Sequence, residues 1–382
     1  MILGIDASNI RSGGGLTHLK EILENAEPNK YNFEKVIVWS NNETLARLPY
    51  YPWLQKETHN WLNKSFVFSF LFQILLLSKI AVSEKCNLIF VPGGTFFGSF
   101  QNIVSMSQNM LPFEKEERNR FPNWKSRLRF KILHFTQGRT FKNSKGVIFL
   151  TNYAKNYIVK DINLKTNSEI IPHGINLSFL NEPKVQKDIS KYTKENPFKL
   201  LYVSIVTVYK HQWNVADVVI KLRKEGYPIT LDLVGGNTSE SLEKLMQVLK
   251  KDNEGCVEFK GLVQYNDLEN IYKSADGFIF ASSCENMPII LIEAMTAGLP
   301  IASSNKGPMP EVLGDACFYF NPLDTNEIYL ALKNMINSSE LRTIKSLKSY
   351  NKSINYTWKE CSEKTFEYLS RIAKQYNYEN TK

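Results

Sequence analysis

Two glutamates, Glu285 and Glu293, interrupt an otherwise apolar stretch, CENMPIILIEAMTAGLP, in the second half of the sequence. A buried carboxylate is costly unless it has a hydrogen-bonding task, so their presence needs a reason. The preceding DGFIFAS is predicted as a strand, Pro288 suits the first position of a helix, and Gly298 suits its end. Glu285 is therefore expected in a strand-to-helix loop and Glu293 inside the helix.

The start of this predicted helix favours an anion. Open parallel sheets bind ligands where strands end and helices begin, and free N–H groups at residues 289–291 attract a group such as a diphosphate. A carboxylate beside that anion would repel it, so we expect Glu285 and Glu293 to bind neutral hydroxyl groups. Diphosphate and hydroxyl groups together predict a pocket for a nucleotide-sugar.

Short apolar strands alternate with helical patterns along the whole chain. In the first half the predicted strands are ILGID, KVIVWS, NLIFVP, NIVSMS, GVIFL and SEIIP. After the polar stretch EPKVQKDISKYTKENP they are KLLYVSIV, PITLDLVG, CVEFKG, DGFIFAS, PIASS and ACFYF. This alternation predicts an α/β protein with two doubly wound, mostly parallel sheets. We expect a cleft between the two domains.

The composition is that of an ordinary globular protein, with 43% hydrophobic and 22% charged residues among 382. The five scattered cysteines form no CxxC motif, and MILGIDASNI lacks the layout of a signal peptide. Five dispersed histidines and the lack of a DxD motif argue against a catalytic metal. We expect a cytoplasmic protein without a metal or a bound cofactor.

One segment resembles a membrane helix by composition. SFVFSFLFQILLLS, residues 65–78, carries no charge, but it is shorter than the ~20 residues that a spanning helix needs. We therefore predict a buried helix there.

A basic segment, residues 118–145, contains nine Lys or Arg and no Asp or Glu, which equals the formal net charge of +9. If this segment is helical, one stripe of it comprises Trp124, Leu128, Ile132 and Phe135, with basic residues on either side. Such a helix could contact an anionic membrane or bind a phosphorylated lipid; a packed helix with a solvated basic rim explains the pattern equally well. No nucleic-acid recognition motif accompanies it, so we expect no nucleic-acid partner.

The Glu-x7-Glu spacing of CENMPIILIEAM, followed by AGLPIASSNKGPMPEVLGDACFYFNPLD, resembles the donor site of glycosyltransferase family 4, retaining enzymes with the GT-B fold. RSGGGLTH, IPHGIN and VTVYKHQW extend the likeness to nearly the whole chain. It implies GT-B architecture, two Rossmann-like domains facing a central cleft. Residues 1–190 would bind the acceptor, residues 197–356 would bind the donor, and a C-terminal helix, residues 357–382, would return to the first domain.

The resemblance also implies the roles of individual residues. Lys210 would neutralise the diphosphate leaving group, Glu285 would contact the transferred sugar, and these two would be the catalytic residues. Glu293 would bind the ribose hydroxyls. The other implied donor-binding residues are Gly14, Gly15, His173, Ser204, Gly235, Gly236, Phe259, Lys260, Gly261, Asn286, Met287, Pro288, Ile289 and Ile290.

The implied donor is a UDP- or GDP-sugar, and the implied acceptor is a glycan or a lipid-linked molecule. The setting would be synthesis of a cell-surface polysaccharide such as O-antigen, capsule or lipopolysaccharide, at the inner face of the cell membrane. Retention by a front-face route is the family expectation.

Two regions depart from the family pattern. Ile205 stands where many members have an arginine, so diphosphate stabilisation would rest on Lys210, the helix N–H groups and a histidine, either His211 or His173. His173 follows a proline and precedes a glycine, so it is equally well explained as a turn residue. Gln108 and the asparagine after it stand where many members have a histidine that contacts the sugar.

Two other functions stay open. A catalytically silent protein that binds nucleotide-sugars would have the same fold, although the retained Lys210, Glu285 and Glu293 argue against it. A dinucleotide-dependent oxidoreductase would also begin with a glycine-rich loop. Against it, SGGGLTH lacks the GxGxxG pattern, and KVIVWS ends without the acidic residue that binds an adenosine ribose.

Overall fold

The computed structural model describes residues 1–379, and the chain divides into two compact units. The first unit contains Met1–Arg118, Asn123–Gly174 and the residues from Thr357 onward; the second contains Asn119–Pro122 and Ile175–Tyr356. The division thus falls between Gly174 and Ile175, before the residue 190 that we expected. The last three residues of the predicted helix 357–382 lie outside the described residues.

A seven-stranded parallel sheet forms the centre of the first unit. Its strands are β1 (Ile2–Asp6), β2 (Lys35–Trp39), β3 (Leu54–Glu57), β4 (Leu88–Val91), β5 (Ile103–Met106), β6 (Gly146–Phe149) and β7 (Ser168–Ile170). They lie in the order β3-β2-β1-β4-β5-β6-β7. The inner strands β4, β5 and β6 are wholly buried, as expected for a parallel sheet with both faces covered. β3 was not predicted, because LQKE is a polar edge strand.

The helices between these strands are α1 (Gly13–Glu24), α2 (Asn42–Ala46), α3 (Phe66–Phe72), α4 (Ser78–Ser83), α5 (Lys115–Asn119), α6 (Trp124–Asn143) and α7 (Asn152–Ile162). A π-helical turn, Gln73–Leu77, joins α3 to α4. The strand order turns back after β3, and the crossovers then continue across the sheet to β7. This is the doubly wound topology that the alternation of patterns predicted.

The prediction of a buried helix at residues 65–78 is wrong for one face of that helix. α3, the π-helical turn and α4 form one helical stretch, Phe66–Ser83, with a mean hydropathy of 2.0, of which only 33% is buried. By length and composition alone this stretch could cross a membrane. Its inner side packs on the sheet through Phe72, Leu77 and Ala81, each 0% exposed. The exposed apolar side chains are Phe66, Val67, Phe70, Ile74, Leu75 and Val82.

α6 also turns apolar side chains to solvent. Its packed side contains Phe130, Gln137, Gly138, Thr140 and Phe141. The predicted stripe lies on the other side, where Trp124, Leu128, Ile132 and Phe135 are 62%, 46%, 54% and 70% exposed. The helix therefore packs through residues outside the stripe, and the stripe is left uncovered.

The second unit is built on a six-stranded parallel sheet. Its strands are β8 (Phe198–Val203), β9 (Ile229–Val234), β10 (Val257–Gly261), β11 (Gly277–Phe280), β12 (Ile301–Ser304) and β13 (Phe318–Phe320). They lie in the order β10-β9-β8-β11-β12-β13, which is again doubly wound. Its helices are α8 (Gln212–Lys224), α9 (Ser239–Leu249), α10 (Tyr265–Ser274), α11 (Ile289–Thr296), α12 (Met309–Leu313), α13 (Thr325–Asn337) and α14 (Ser339–Ser353). All six strands were predicted from their apolar runs.

A fully buried arginine, Arg342 of α14, bonds the polar stretch before β8 to the second unit. Its Nε donates to the Oε1 of Gln186 (3.0 Å), and its Nη2 donates to the main-chain oxygen of Lys187. Its Nη1 donates to the main-chain oxygen of Met335 (2.7 Å) in the second unit. These bonds explain why residues before position 190 group with the second unit.

The last described helix, α15 (Trp358–Glu379), packs against α1 in the first unit. Ser362 Oγ donates to the main-chain oxygen of Ile22 (2.7 Å), and the Tyr368 hydroxyl donates to that of Asn167 (3.1 Å), just before β7. The C-terminal helix thus adds a buried layer to the first unit.

Candidate functional site

Lys210 ends a short 3₁₀ turn, Val208–Lys210, directly after β8, and its side chain is nearly buried. The hydroxyl group of Tyr202 donates to the main-chain oxygen of Lys210 (2.6 Å) and accepts from the N–H of Ala281 (3.2 Å). One buried tyrosine therefore joins the loop after β8 to the loop after β11. This arrangement fixes the position from which the Lys210 side chain extends.

The Nζ of Lys210 forms an ion pair with the Oε1 of Glu285, from which it is separated by 75 residues in sequence. Glu285 also accepts a hydrogen bond from the Oγ of Ser282 (2.6 Å). The same Nζ lies 4.7 Å from the centroid of the Phe280 ring. The structure thus brings the two predicted catalytic residues into direct contact, at the carboxyl ends of neighbouring strands.

His211 follows Lys210 with a φ of 50°, in the left-handed region that few residues other than glycine adopt. Its Nε2 lies 2.9 Å from the Oγ of Ser283. Burial, together with the charges of Arg120 and Lys244, lowers the pKa of His211 to about 4. His211 is therefore neutral at pH 7 and does not replace the positive charge that is missing at Ile205.

The segment Asn119–Pro122 groups with the second unit although it precedes α6 in sequence. The ring of Phe121 lies 6.5 Å from the ring of Tyr209, which is next to Lys210. Arg120 is carried by this segment, and its charge acts on His211. The cations close to the loop after β8 therefore include one that lies far from it in sequence.

Glu293, in the second turn of α11, is 3% exposed. Its Oε2 accepts a hydrogen bond from the hydroxyl group of Tyr272 (3.1 Å), which also contacts the main-chain oxygen of Ile290 (3.1 Å). Burial outweighs the opposing effect of the bond from Tyr272 and raises the pKa of Glu293 to about 7. A carboxyl group with such a pKa can accept or donate a hydrogen bond near neutral pH.

α11 begins one residue later than its sequence predicts, with Pro288 at the position just before the helix and not at its first position. The N–H of Leu291 donates to the main-chain oxygen of Pro288 (3.1 Å). Within residues 1–379, no acceptor is found for the N–H groups of Ile289 and Ile290. Asn286 and Met287, in the preceding loop, are buried. Of the three predicted donors, those of Ile289 and Ile290 are thus available for an anion, whereas that of Leu291 is used within the helix start.

The ends of β8, β9 and β10 meet at a set of glycines. The N–H of Gly235 donates to the main-chain oxygen of Gly261 (2.8 Å), and the N–H of Ser204 donates to that of Val234 (2.8 Å). Gly235 has a φ of 141°, and a Cβ there would lie 2.3 Å from the main-chain oxygen of Ser204. At Gly236 a Cβ would meet nothing within 4 Å. The first glycine is required by packing, whereas the second leaves open space.

β10 is irregular where it was predicted to frame the base. Its register shifts between Phe259 and Gly261, and the side chain of Lys260 between them bonds Asp232 (3.1 Å) and Glu258 (3.4 Å). Lys260 is therefore held by carboxylates of its own sheet, which leaves main-chain groups for a ligand.

In the first unit, Gly14 and Gly15 lie in the first turn of α1. A Cβ on Gly14 would meet nothing within 4 Å, and one on Gly15 would lie 3.3 Å from the Oε1 of Gln108. Gln108, which stands where many members of the similar family have a histidine, thus borders the predicted glycine loop.

His173 is buried and has a packing role in the first unit. Its Nδ1 lies 3.0 Å from the Nδ1 of His18, and its ring lies 5.7 Å from that of Trp358. Burial lowers the pKa of both histidines, in the case of His18 to about 3. His173 was expected either to stabilise the diphosphate or to be a structural residue of a turn. A structural role accounts for these contacts.

Several polar residues of this region were not predicted: Tyr202, Tyr272, Ser282 and Ser283. The two serines lie in the loop that the sequence identified, and their position beside Glu285 was a usable signal. The sequence contained no such signal for the two tyrosines, because their hydrogen-bond partners lie on other elements of the second unit. Among the described residues, no cluster of three His, Cys, Asp or Glu able to hold a metal ion is found.

Comparisons with known proteins show one likeness in sequence and one in fold. The family model described as glycosyl transferases group 1 matches residues 184–352. The chain is 27% identical over 139 residues to O-antigen chain mannosyltransferase B of Escherichia coli, covering 36% of each chain. It is 25% identical over 195 residues to O-antigen chain mannosyltransferase RfbU of Salmonella typhimurium, covering 51% of this chain and 52% of that one. The match thus spans about a third to a half of the length of these two curated relatives.

The fold of the whole chain is similar to that of a solved structure, Anabaena Alr3699/HepE in complex with UDP. The TM-score is 0.70 at 16% identity, over 97% of this chain and 99% of that one. The two doubly wound units are thus those of the GT-B fold.

Proposed function

Because residues 184–352 match the family model described as glycosyl transferases group 1, we propose that the protein transfers a sugar from a nucleotide-sugar donor to a hydroxyl group of an acceptor. The observation that carries the proposal is the ion pair of Lys210 and Glu285 beside the start of α11. The donor binds to the second unit, and the acceptor to the first. Gly14 and Gly15 contribute main-chain N–H groups from the first unit.

Lys210 acts on the leaving group. When the bond between sugar and diphosphate breaks, negative charge grows on the phosphate oxygen, and a positioned cation stabilises that charge. Lys210 is nearly buried, so its charge is weakly screened by water. In the structure Glu285 balances this charge. When the donor binds, the diphosphate becomes the partner of Lys210, and Glu285 turns to a hydroxyl group of the sugar.

The remaining groups hold the donor. The free N–H groups of Ile289 and Ile290 bind phosphate oxygens, with Asn286, Met287 and Pro288 shaping the loop before them. Glu293 binds the ribose hydroxyls. The edge formed by Ser204, Gly235, Gly236, Phe259, Lys260 and Gly261 supports the base through main-chain groups.

The reaction retains the configuration of the sugar by a front-face route. The acceptor oxygen attacks the anomeric carbon from the side on which the diphosphate departs, through an oxocarbenium-like state. The bond from that carbon to the phosphate oxygen breaks, and that oxygen takes the proton of the acceptor hydroxyl. No second carboxylate is needed as a nucleophile.

The acceptor is a glycan or lipid-linked molecule, and the setting is the synthesis of a cell-surface polysaccharide. Two of the similar proteins are O-antigen mannosyltransferases by name. The exposed stripe of α6, with its basic flanks, supports contact with an anionic membrane, because a helix that used this stripe for packing would bury it. The protein would then work at the cytoplasmic face of the membrane.

One experiment tests the activity. The protein is incubated with a panel of UDP- and GDP-sugars, with and without acceptor lipids, and free nucleotide is measured, while thermal shift reports binding. A ligand at ~100 times its dissociation constant adds about 2.7 kcal/mol to the free energy of unfolding. We expect binding of one nucleotide class and nucleotide release that depends on acceptor. Binding without release would indicate a silent homologue, and the lack of both would contradict the proposal.

A further inference from the structure

The helical stretch Phe66–Ser83 has buried polar groups beside the apolar ones on its inner side, whereas its outer side is mostly apolar. On the buried side, the Nε2 of Gln73 donates to the Oδ2 of Asp6 (2.6 Å) and to the Oγ of Ser8 (3.0 Å). Ser69, also buried, accepts from the Nη2 of Arg11 (3.3 Å). A helix on the surface of a soluble protein normally has a polar outer side. The outer side of this stretch is therefore adapted to an environment other than water.

The outer side is rich in large apolar side chains. Phe66, Val67 and Leu75 are 61%, 64% and 49% exposed, and Phe70 and Ile74 lie between them. Single exposed apolar residues are common, but a contiguous row on one helix marks a binding surface.

α3 and α6 lie on the same face of the sheet. The connections from β3 to β4 and from β5 to β6 cross the sheet in the same direction, and right-handed crossovers then place their helices on the same side. The loop after β4 bonds to both: Gln73 donates to the main-chain oxygen of Thr95 (3.3 Å), and the N–H of Phe96 donates to the Oγ1 of Thr140 in α6 (3.0 Å). Phe97 packs on Phe70 with ring centroids 4.5 Å apart.

The charged side chains that both helical segments themselves carry are all basic. Neither residues 58–83 nor residues 118–145 contain an Asp or a Glu. The guanidinium of Arg11 lies 5.2 Å from the Phe66 ring, and the Nζ of Lys64 lies 4.9 Å from the Phe68 ring. Basic groups beside exposed aromatic rings match the interface of an anionic bilayer, where headgroups meet acyl chains.

We propose that the outer side of residues 66–82 and the stripe of α6 form one surface that inserts into the interface of an anionic lipid bilayer. This inference rests on the membrane contact proposed for α6, and it does not depend on glycosyl transfer. The stretch lies on the bilayer and does not span it, because its inner side is bonded to the sheet through Gln73.

The position of this surface also bears on the acceptor. Asp6, Ser8 and Arg11, which bond the inner side of the stretch, lie in the segment that leads directly to Gly13–Gly15. The bilayer-facing helix and the predicted glycine loop are thus joined by side-chain hydrogen bonds. A lipid-linked acceptor would meet that loop at a set distance from the membrane.

Flotation with lipid vesicles tests the proposal on the full chain without donor or acceptor. The test variant is Phe66→Ser/Phe70→Ser/Ile74→Ser. The matched control changes exposed apolar residues of α13 and α14, Leu330→Ser/Ile344→Ser/Leu347→Ser. We expect wild type and control to float with vesicles of phosphatidylcholine and phosphatidylglycerol, and the test variant to bind at least about tenfold more weakly. Vesicles of phosphatidylcholine alone should bind all three weakly.

Equal binding of the test variant and wild type to the anionic vesicles would overturn the proposal. So would a wild type that ignores vesicles but self-associates through residues 66–74 in sedimentation, since the surface would then belong to a second copy. A second measurement avoids dependence on the folding of the triple variant. Val67→Cys, labelled with an environment-sensitive dye, should show a blue-shifted emission with anionic vesicles, whereas labelled Leu330→Cys should not. The five native cysteines are buried. Vesicle binding with no nucleotide release would leave this inference intact while contradicting the proposed function.

Discussion

The ammonium group of Lys210 and the carboxylate of Glu285 are paired within the second unit, next to the unbonded N–H groups that begin α11. Each partner is held by its own loop, through Tyr202 in one case and Ser282 in the other. The pair therefore offers a cation and an acceptor at one place, ready for two chemically different parts of one donor.

We expect Lys210→Ala to lower kcat about 100- to 1,000-fold, because one positioned charge partner of a developing anion contributes that much. Steady-state nucleotide release with saturating donor measures the effect. Lys251→Ala, which removes a surface lysine paired with Asp217, is the control and should leave kcat within about twofold. If Lys210→Ala raised KM and left kcat unchanged, Lys210 would bind the donor without acting on the leaving group.

The raised pKa of Glu293 predicts a dependence of stability on pH. The native state holds this proton up to a pKa of about 7, whereas the unfolded chain loses it at an ordinary pKa of 4.5. The contribution to stability is therefore complete below pH 4.5 and is lost as pH rises through about 7, a change on the order of 3 kcal/mol.

We expect Glu293→Gln to remove this dependence, because a glutamine has no proton to lose. Urea unfolding from pH 5 to pH 8 measures the slope, and Glu269→Gln, an exposed change on α10, is the control. A wild type and a Glu293→Gln variant with parallel pH profiles would contradict the assigned pKa.

The buried histidine pair of the first unit predicts the opposite dependence. Burial lowers the pKa of His18 to about 3 and that of His173 well below its ordinary value of 6.5. As pH falls below 6.5, the unfolded chain takes up protons that the native state refuses, so stability decreases by up to about 1.4 kcal/mol per pH unit for each histidine. We expect the NMR signals of both rings to stay in the neutral form from pH 8 to pH 5. Their titration near pH 6.5 would show that the pair is open to solvent.

The two neighbouring glycines that follow β9 allow packing to be separated from ligand binding. We expect Gly235→Ala to destabilise the second unit by about 2 kcal/mol or more, because its φ of 141° disfavours a side chain and the new Cβ would meet the Ser204 oxygen. Gly236→Ala has open space and should leave the melting temperature nearly unchanged while weakening nucleotide binding. Equal stability of the two variants in thermal denaturation would refute the packing argument.

The sequence predicted the two sheets well, because twelve of their strands are short apolar runs between helical patterns. β3 was missed, since its LQKE lies at an edge and has no apolar run. The helix at residues 66–83 was misread because hydropathy measures how apolar a segment is and not which side of it is covered.

The site was predictable only in part. The positions of Lys210 and Glu285 followed from their place after strands that neighbour each other in a doubly wound sheet, and the family resemblance paired them. The bond from Tyr272 to Glu293, and the one from Tyr202 to the loop after β8, depend on how separate elements pack side by side. Such contacts leave no local pattern in the chain.

The hydrogen bonds of the Arg342 guanidinium determine where a fragment that contains the donor-binding unit has to begin. Two of its acceptors, on Gln186 and Lys187, lie upstream of residue 197, where the sequence placed the start of this domain. A fragment that begins at residue 197 would remove these two acceptors and leave the cation with the main-chain oxygens of Met335 and Ile336 and the ring of Phe198 as its neighbours, so part of its charge would lose its partners. A domain prepared for nucleotide-binding studies must therefore include Gln186 and Lys187, although the polar stretch that contains them has the composition of a linker.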